Sequence, residues 1–240
     1  MIISHRHRFV MLAPWKTASS TAHLRLKPYN ESPYSRFYDF NPHLQRVVHQ
    51  HITWAEFAML PESRAGYFSA AFVRNPYDRA YSGFLQLQRD IREQPLFTFP
   101  QPWIKALVMR QLADVYAQLA AGDFDFDRWF DLVEEHQICD VGRNSSFRLH
   151  PAHYWTGIDG VQKVDFVGRV ENFDKDFRAF CGRVGIDPPD EVANANVSDG
   201  APAPEAPGEP RYAGLMNTAS ISKINRLFSG DFELFGYEKR

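Results

Sequence analysis

Apolar residues along this chain come in short blocks, set off by turns rich in hydroxyl, proline and charged residues, and these blocks alternate with stretches of helical period. The first block, Phe9-Val10-Met11-Leu12, reads as a buried strand. The run after it reads as a tight turn opening into a helix with Ser19, Ser20 and Thr21 in its first turns. Lys27 to Pro42 is crowded with aromatic residues and proline (Tyr29, Pro33, Tyr34, Phe37, Tyr38, Phe40, Pro42). It is expected to be a loop that packs over a core edge or lines a substrate cleft. Arg46 to Ile52 is a short extended segment, and Thr53 with Glu56 forms a capping box that starts a helix running to about Leu60. Tyr67 to Val73 is a second buried strand. Asn75 then serves as an N-cap, Pro76 takes the first helical position and Asp78 completes a capping box, so a helix is expected to about Arg92.

Beyond a proline-interrupted loop from Glu93 to Pro102, Trp103 to Ala121 carries one apolar stripe (Ile104, Leu107, Val108, Leu112, Val115, Tyr116, Leu119) that suits a core-facing helix. Asp123 to Glu135 begins with alternating Asp and Phe and becomes helical, its acidic residues placed as a solvated helix start. Arg143 to Pro151 is polar and basic, either a plain loop or a contact for an anionic acceptor. Val164 to Val167 reads as a third core strand. Asn172 caps a helix through Phe173, Phe177, Phe180 and Cys181 to Val184, which stops at Gly185. Ile186 to Arg211 holds six prolines and many alanines, cannot build a packed core and is expected to be an exposed, mobile loop. A last helix, about Ala219 to Phe228, leads to a tail that docks Phe232, Phe235 and Tyr237. Strands alternating with helices predict an α/β fold: a P-loop-like parallel sheet flanked by helices, in one domain spanning residues 1–240, with no internal repeat.

Composition narrows the partners. The 240 residues suffice for a sizeable core, and 20 Phe with 10 Tyr make it aromatic. A formal net charge of -2 argues against a sequence-independent nucleic-acid binder. Cys139 and Cys181 allow at most one disulfide, a pattern that suits a reducing compartment. No apolar run approaches the ~20 residues of a membrane span, and MIISHRHRF has charges where a leader would be apolar. The expectation is a soluble, cytoplasmic protein without a membrane span.

The turn after the first strand is where chemistry enters. A buried strand delivering Lys16 to a hydroxyl-rich helix start is the architecture of a phosphate cradle, in which unpaired backbone N–H groups and a mobile ammonium face an anion. No glycine stands between Met1 and Lys27, so the Walker A pattern is absent, and an ordinary capped helix with a solvated Lys16 is the alternative. A second anion site changes the balance. Arg74 leaves the tip of the second strand, and Ser82 lies two turns along the following helix on the same face as Asn75, so a guanidinium and a hydroxyl can close on one phosphate. Nucleotide hydrolases often end this strand in a magnesium-binding aspartate; here it ends in arginine. Two separate phosphates held by a lysine turn and an arginine describe a nucleotide phosphorylated at its 5′ and 3′ positions. His49 and His51, two apart at a strand end, share one face and suit a metal site, a catalytic pair or a solvated surface.

With these residues in view, the chain resembles the carbohydrate sulfotransferases that use 3′-phosphoadenosine 5′-phosphosulfate (PAPS). Lys16-Thr17-Ala18-Ser19-Ser20-Thr21 is similar to their 5′-phosphosulfate loop, and Phe72-Val73-Arg74-Asn75-Pro76-Tyr77-Asp78-Arg79-Ala80-Tyr81-Ser82 to their 3′-phosphate motif. His49-Gln50-His51 resembles the His-Gly-His element of heparan sulfate 2-O-sulfotransferases, and the chondroitin 4-sulfotransferase type shares the phosphate motifs. Val164 to Phe173 and Asp231 to Tyr237 also resemble family landmarks, and Asn196-Val197-Ser198 falls where the family carries an asparagine–serine element. The resemblance spans Phe9 to Tyr237 and departs at Trp15, where the family has proline before the lysine, and at Ser20-Thr21, whose order is swapped.

The resemblance implies in-line transfer of a sulfuryl group from PAPS to a hydroxyl of an acceptor, a carbohydrate or glycosylated metabolite, leaving adenosine 3′,5′-bisphosphate. His51 is the implied base, with His49 orienting or replacing it. Lys16 is implied at the bridging oxygen, Thr17, Ala18, Ser19, Ser20 and Thr21 at the 5′-phosphate, and Arg74 with Ser82 at the 3′-phosphate. No metal is implied, because the transferring group bears one negative charge. A metal-dependent nucleotide kinase or hydrolase, and a non-catalytic nucleotide- or carbohydrate-binding protein, are the alternative readings.

Overall fold

The computed structural model describes residues 1–34, 38–93, 101–107, 109–110, 125–137, 149–188 and 210–240. These fall into two compact units, Met1–Arg74 with Ala152–Val197, and Asn75–Pro151 with Ser198–Arg240. The far part of the helix expected from Trp103, the start of the Asp123 segment, Cys139, Arg143 to Arg148, and the loop residues 189–209 with Asn196 to Ser198 lie outside the described residues.

The first unit is built on a four-stranded sheet in the order β1 (Ile2–Ser4), β2 (Phe9–Met11), β5 (Phe68–Val73), β8 (Phe166–Arg169). Phe9, Val10 and Met11 are buried on both faces, which is why this strand reads as an unbroken apolar run. β2 pairs parallel with β5, Met11 facing Ala70, and β5 pairs parallel with β8, Phe72 facing Gly168. The parallel sheet expected from the sequence is corrected to a mixed one by β1, which pairs antiparallel with β2. The charges of His5 to Arg8 hid this strand in the sequence. Its outer edge is closed: Ile3 N–H donates to Asn30 Oδ1 at 3.2 Å and the Glu31 N–H to the Ile3 carbonyl at 2.7 Å, so no open ladder is left there.

Two apolar clusters flank this sheet. On one face Phe9, Met11, Leu26 and Phe72 pack with Phe173, Phe177, Phe180 and Cys181; on the other, Ile3, Val10, Leu12 and Ala71 pack with Val48, Ile52, Phe57 and Leu60. Burial pushes the Cys181 thiol up to about 11, against a smaller opposing effect of the Arg25 guanidinium, so it stays an inert core thiol at neutral pH. The helix Phe173–Val184 ends at Gly185 as expected, although Asn172, in the N-cap position, makes no side-chain cap hydrogen bond. The strand expected at Val164–Val167 starts two residues later, at Phe166. The reason is Asp165, whose carboxylate accepts from both the N–H and the hydroxyl of Ser69 at 2.7 Å and so serves as a clamp into the ladder.

Two hairpins stand outside this sheet, and the first pairs a strand from the aromatic stretch expected to be a loop with the segment expected to be extended. β3 (Asp39–Asn41) pairs antiparallel with β4 (Arg46–Val48), its turn organised by Asn41 Oδ1, which accepts from the N–H groups of His43 and Leu44 at 3.0 Å. β6 (Gly157–Ile158) and β7 (Val161–Gln162) are joined by Asp159 and Gly160 at φ 51° and 74°, the paired left-handed geometry of a two-residue hairpin turn.

In the second unit the helix Pro76–Glu93 is capped by Asn75, whose side chain accepts from Tyr77 N–H at 3.0 Å. It packs its aromatic face with the helix Phe126–Gln137; Phe84 lies 5.8 Å from the fully buried Trp129. Arg79, 1% exposed, pairs with the equally buried Asp231 at 3.5 Å and donates to the His150 carbonyl. The last helix runs Thr218–Leu227, and the expected tail is itself a helix, Ser229–Phe235, burying Phe232 and Phe235 while Tyr237 stays partly exposed.

Gly168 supplies a test of how tightly the sheet is packed. A Cβ there would lie 2.5 Å from the Phe72 ring, which is held 4.7 Å from the Phe173 ring and has no room to yield. Gly168→Ala is expected to lower stability by about 1–3 kcal/mol, read as a drop in the urea midpoint at unchanged slope.

Candidate active site

β2 and β5 run parallel, so both leave the sheet at the same edge, where Lys16, the hydroxyl residues that follow it and Arg74 stand. The pairing continues past the end of β2, the Leu12 N–H donating to the Ala70 carbonyl at 2.8 Å. Ala13 to Ala18 then form a turn in which Lys16 and Ala18 stand at φ 66° and 57°. Glycine is the usual residue at such angles, and left-handed residues alternating with right-handed ones are the backbone geometry of anion-binding nests. The turn is held from inside, the buried Thr17 hydroxyl donating to the Pro14 carbonyl at 2.8 Å. That bond commits the Thr17 hydroxyl proton to the turn itself. Helix α1 (Ser19–Arg25) starts from Ala18, whose carbonyl accepts from the Ala22 N–H at 3.0 Å. Ser19 and Ser20 are half-buried and Thr21 is buried.

Arg74, at the end of β5, reaches this turn: its guanidinium Nη1 lies 3.5 Å from the Lys16 carbonyl, a long contact. The Lys16 ammonium sits over the Trp15 ring, 5.8 Å from its centroid, so the tryptophan that replaces the family's proline meets the lysine directly. A shallow hollow between the turn and α1 is lined by Leu12, Ala13, Thr17, Ser19, His23 and Phe72. Sequence reading missed His23; its place four residues after Ser19, on the same helix face, was the available signal.

His51 comes to the same turn from the other direction. Its Nδ1 lies 2.6 Å from the Ala13 carbonyl. A carbonyl only accepts, so Nδ1 carries the proton, and in the neutral ring Nε2 keeps the lone pair, 3.5 Å from the Gln50 side-chain amide. The His49 ring stacks on His51 with centroids 4.7 Å apart at 17°. Both ends of the histidine segment are secured. Before it stands β4, and after it the Thr53–Glu56 capping box, with Thr53 N–H donating to Glu56 at 2.6 Å. Glu56 also forms an ion pair with Arg46 of β4, so one carboxylate ties hairpin and helix together.

The first unit thus brings together Lys16 to Thr21, Arg74, His49 and His51. Ser82 belongs to the second unit, where it is 5% exposed on the helix Pro76–Glu93. Among the described residues no group of three or more His, Cys, Asp or Glu is placed to hold a metal ion, and no helix is long and apolar enough to cross a membrane.

The profile of the sulfotransferase family matches residues 1–238 of the chain. No curated protein and no solved structure matches it.

The left-handed turn makes opposite predictions for two alanines four residues apart. Ala18→Gly relieves a backbone conformation that costs an L-residue about 1–2 kcal/mol, partly offset by the added freedom of the unfolded chain, and is expected to raise stability by up to about 1 kcal/mol. Ala22→Gly, inside α1, is expected to lower it by about 1 kcal/mol. Chemical denaturation of both variants checks the sign.

Proposed function

The chain belongs to the sulfotransferase family, and from that premise we propose that it transfers the sulfuryl group of PAPS to a hydroxyl of a carbohydrate acceptor. The observation that carries this reading is the 2.6 Å hydrogen bond from His51 Nδ1 to the carbonyl of Ala13, three residues before Lys16, which leaves the lone pair on Nε2.

The steps follow from the groups present. Nε2 of His51 takes the acceptor's hydroxyl proton as that oxygen attacks sulfur. The bond between sulfur and the 5′-phosphate oxygen breaks in line, and negative charge collects on the departing bisphosphate. The Lys16 ammonium and the N–H groups of the turn from Lys16 to Ser20 stabilise that charge. Arg74 serves the 3′-phosphate, where a planar guanidinium binds phosphate oxygens in pairs. His49 holds the plane of His51. A transferring group with a single negative charge needs no bridging cation, and the residue that follows β5 is Arg74 rather than an aspartate.

Calorimetric titration with adenosine 3′,5′-bisphosphate, in parallel with ATP and magnesium, tests the donor. Tight bisphosphate binding that Arg74→Ala weakens about tenfold or more, with ATP ignored, is the expected result. Preference for ATP with magnesium, or binding of neither, overturns the reading. With sulfate transfer in hand, His51→Ala is expected to lower kcat by roughly 10²–10⁴-fold at unchanged bisphosphate affinity.

A further inference from the structure

We propose that Tyr38 is a positioning residue for the histidine pair and that the β3–β4 hairpin is the frame that sets it; the proposal rests on the reading of His51 as the base. The hydrogen bond from Nδ1 to the Ala13 carbonyl fixes one point of the His51 ring but leaves the ring free to swing about that axis. Stacking on His49 at 17° fixes its plane. His49 therefore decides where Nε2 points, and something must hold His49.

The hairpin does so through its register. Asp39 faces Val48 and Phe40 faces Val47, so the same register carried one step past the strands sets Tyr38 opposite His49. The rings meet there, edge to face, with centroids 5.0 Å apart at 68°. Tyr38 is 6% exposed, whereas its hairpin neighbour Phe40 is 37% exposed, so of these two the hairpin turns inward the one that backs the histidines.

The backbone of Tyr38 points the same way. Its φ is 42°, in the left-handed region that a bulky aromatic residue rarely enters. Such a conformation persists only where its surroundings over-determine it. An arrangement of three rings, Tyr38 on His49 on His51, leading to Ala13 and the lysine turn, supplies that determination.

The test joins side-chain NMR of the histidine rings with steady-state kinetics on Tyr38→Phe and Tyr38→Asn. Asparagine takes left-handed angles readily, so Tyr38→Asn removes the ring without adding backbone strain and is expected to stay folded, checked by circular dichroism. Tyr38→Phe keeps the ring, and wild-type kcat and wild-type histidine signals are expected. In Tyr38→Asn the ring signals of His49 and His51 are expected to move, and kcat to fall roughly tenfold to a hundredfold, with bisphosphate affinity within about twofold of wild type. Unmoved histidine signals, or moved signals with unchanged kcat, overturn the proposal. Should His51→Ala keep full activity, it is the assignment of the base that fails. Moved signals in Tyr38→Asn then still support the positioning of the rings, and unmoved signals still overturn it.

Discussion

A parallel pair of strands delivers both of its C-terminal ends to one edge of a sheet, and the pairing of Phe9–Met11 with Phe68–Val73 is the constraint on which this site depends. Because the two strands start in register, Leu12 and Arg74 leave the sheet on the same side, and a guanidinium arrives beside a lysine turn nearly sixty residues away in sequence. The pair is rigid because it is dry: Val10, Leu12, Ala70, Ala71 and Val73 are almost wholly buried, with apolar clusters on both faces. Flexible charged side chains at the edge thereby gain fixed points of attachment.

The turn at that edge reaches left-handed angles without glycine. Lys16 and Ala18 each hold a conformation that costs an L-residue of the order of 1 kcal/mol, and the surroundings must supply it. Three features do so in unit one: the buried Thr17 hydroxyl on the Pro14 carbonyl, the helical bond from Ala22 to Ala18, and Arg25 at the far end of α1. Arg25 is buried against Phe173 and Phe177 and pairs with Asp174 at 2.7 Å. A short helix anchored at its end by a buried arginine, paired with an exposed aspartate, is held against fraying.

What could be read from the sequence was what is local. The strand at Phe9 is a continuous apolar run and that at Phe68 is broken only by Ser69, and the caps at Thr53 and Asn75 are decided within four residues, so pattern alone finds them. The missed elements draw their definition from elsewhere. β1 has two isoleucines followed by four charged or titratable residues, and only its pairing with β2 makes it a strand. β3 is short and half exposed, and depends on the Asn41 side chain to turn the chain toward β4, itself legible as an extended segment. The Asp159-Gly160 dipeptide, by contrast, was a local signal that went unread. For the site, the lysine turn, Arg74 and the histidine pair stood out by residue type. The link from His51 to Ala13 spans 38 residues and has no trace in the sequence.

The choice of a backbone carbonyl to orient His51 has its own logic. Hydrolases commonly orient such a histidine with an aspartate, which also stabilises the imidazolium once the proton arrives. A carboxylate beside Ala13 would stand near Lys16 and Arg74 and would draw both cations to itself, occupying the charge that an incoming phosphate needs. A carbonyl fixes the same tautomer through the same Nδ1–H bond while adding no net charge. On the proposed reading the site keeps its positive field for an anionic ligand, and the ring plane of His51 is held by the stack of His49 and Tyr38.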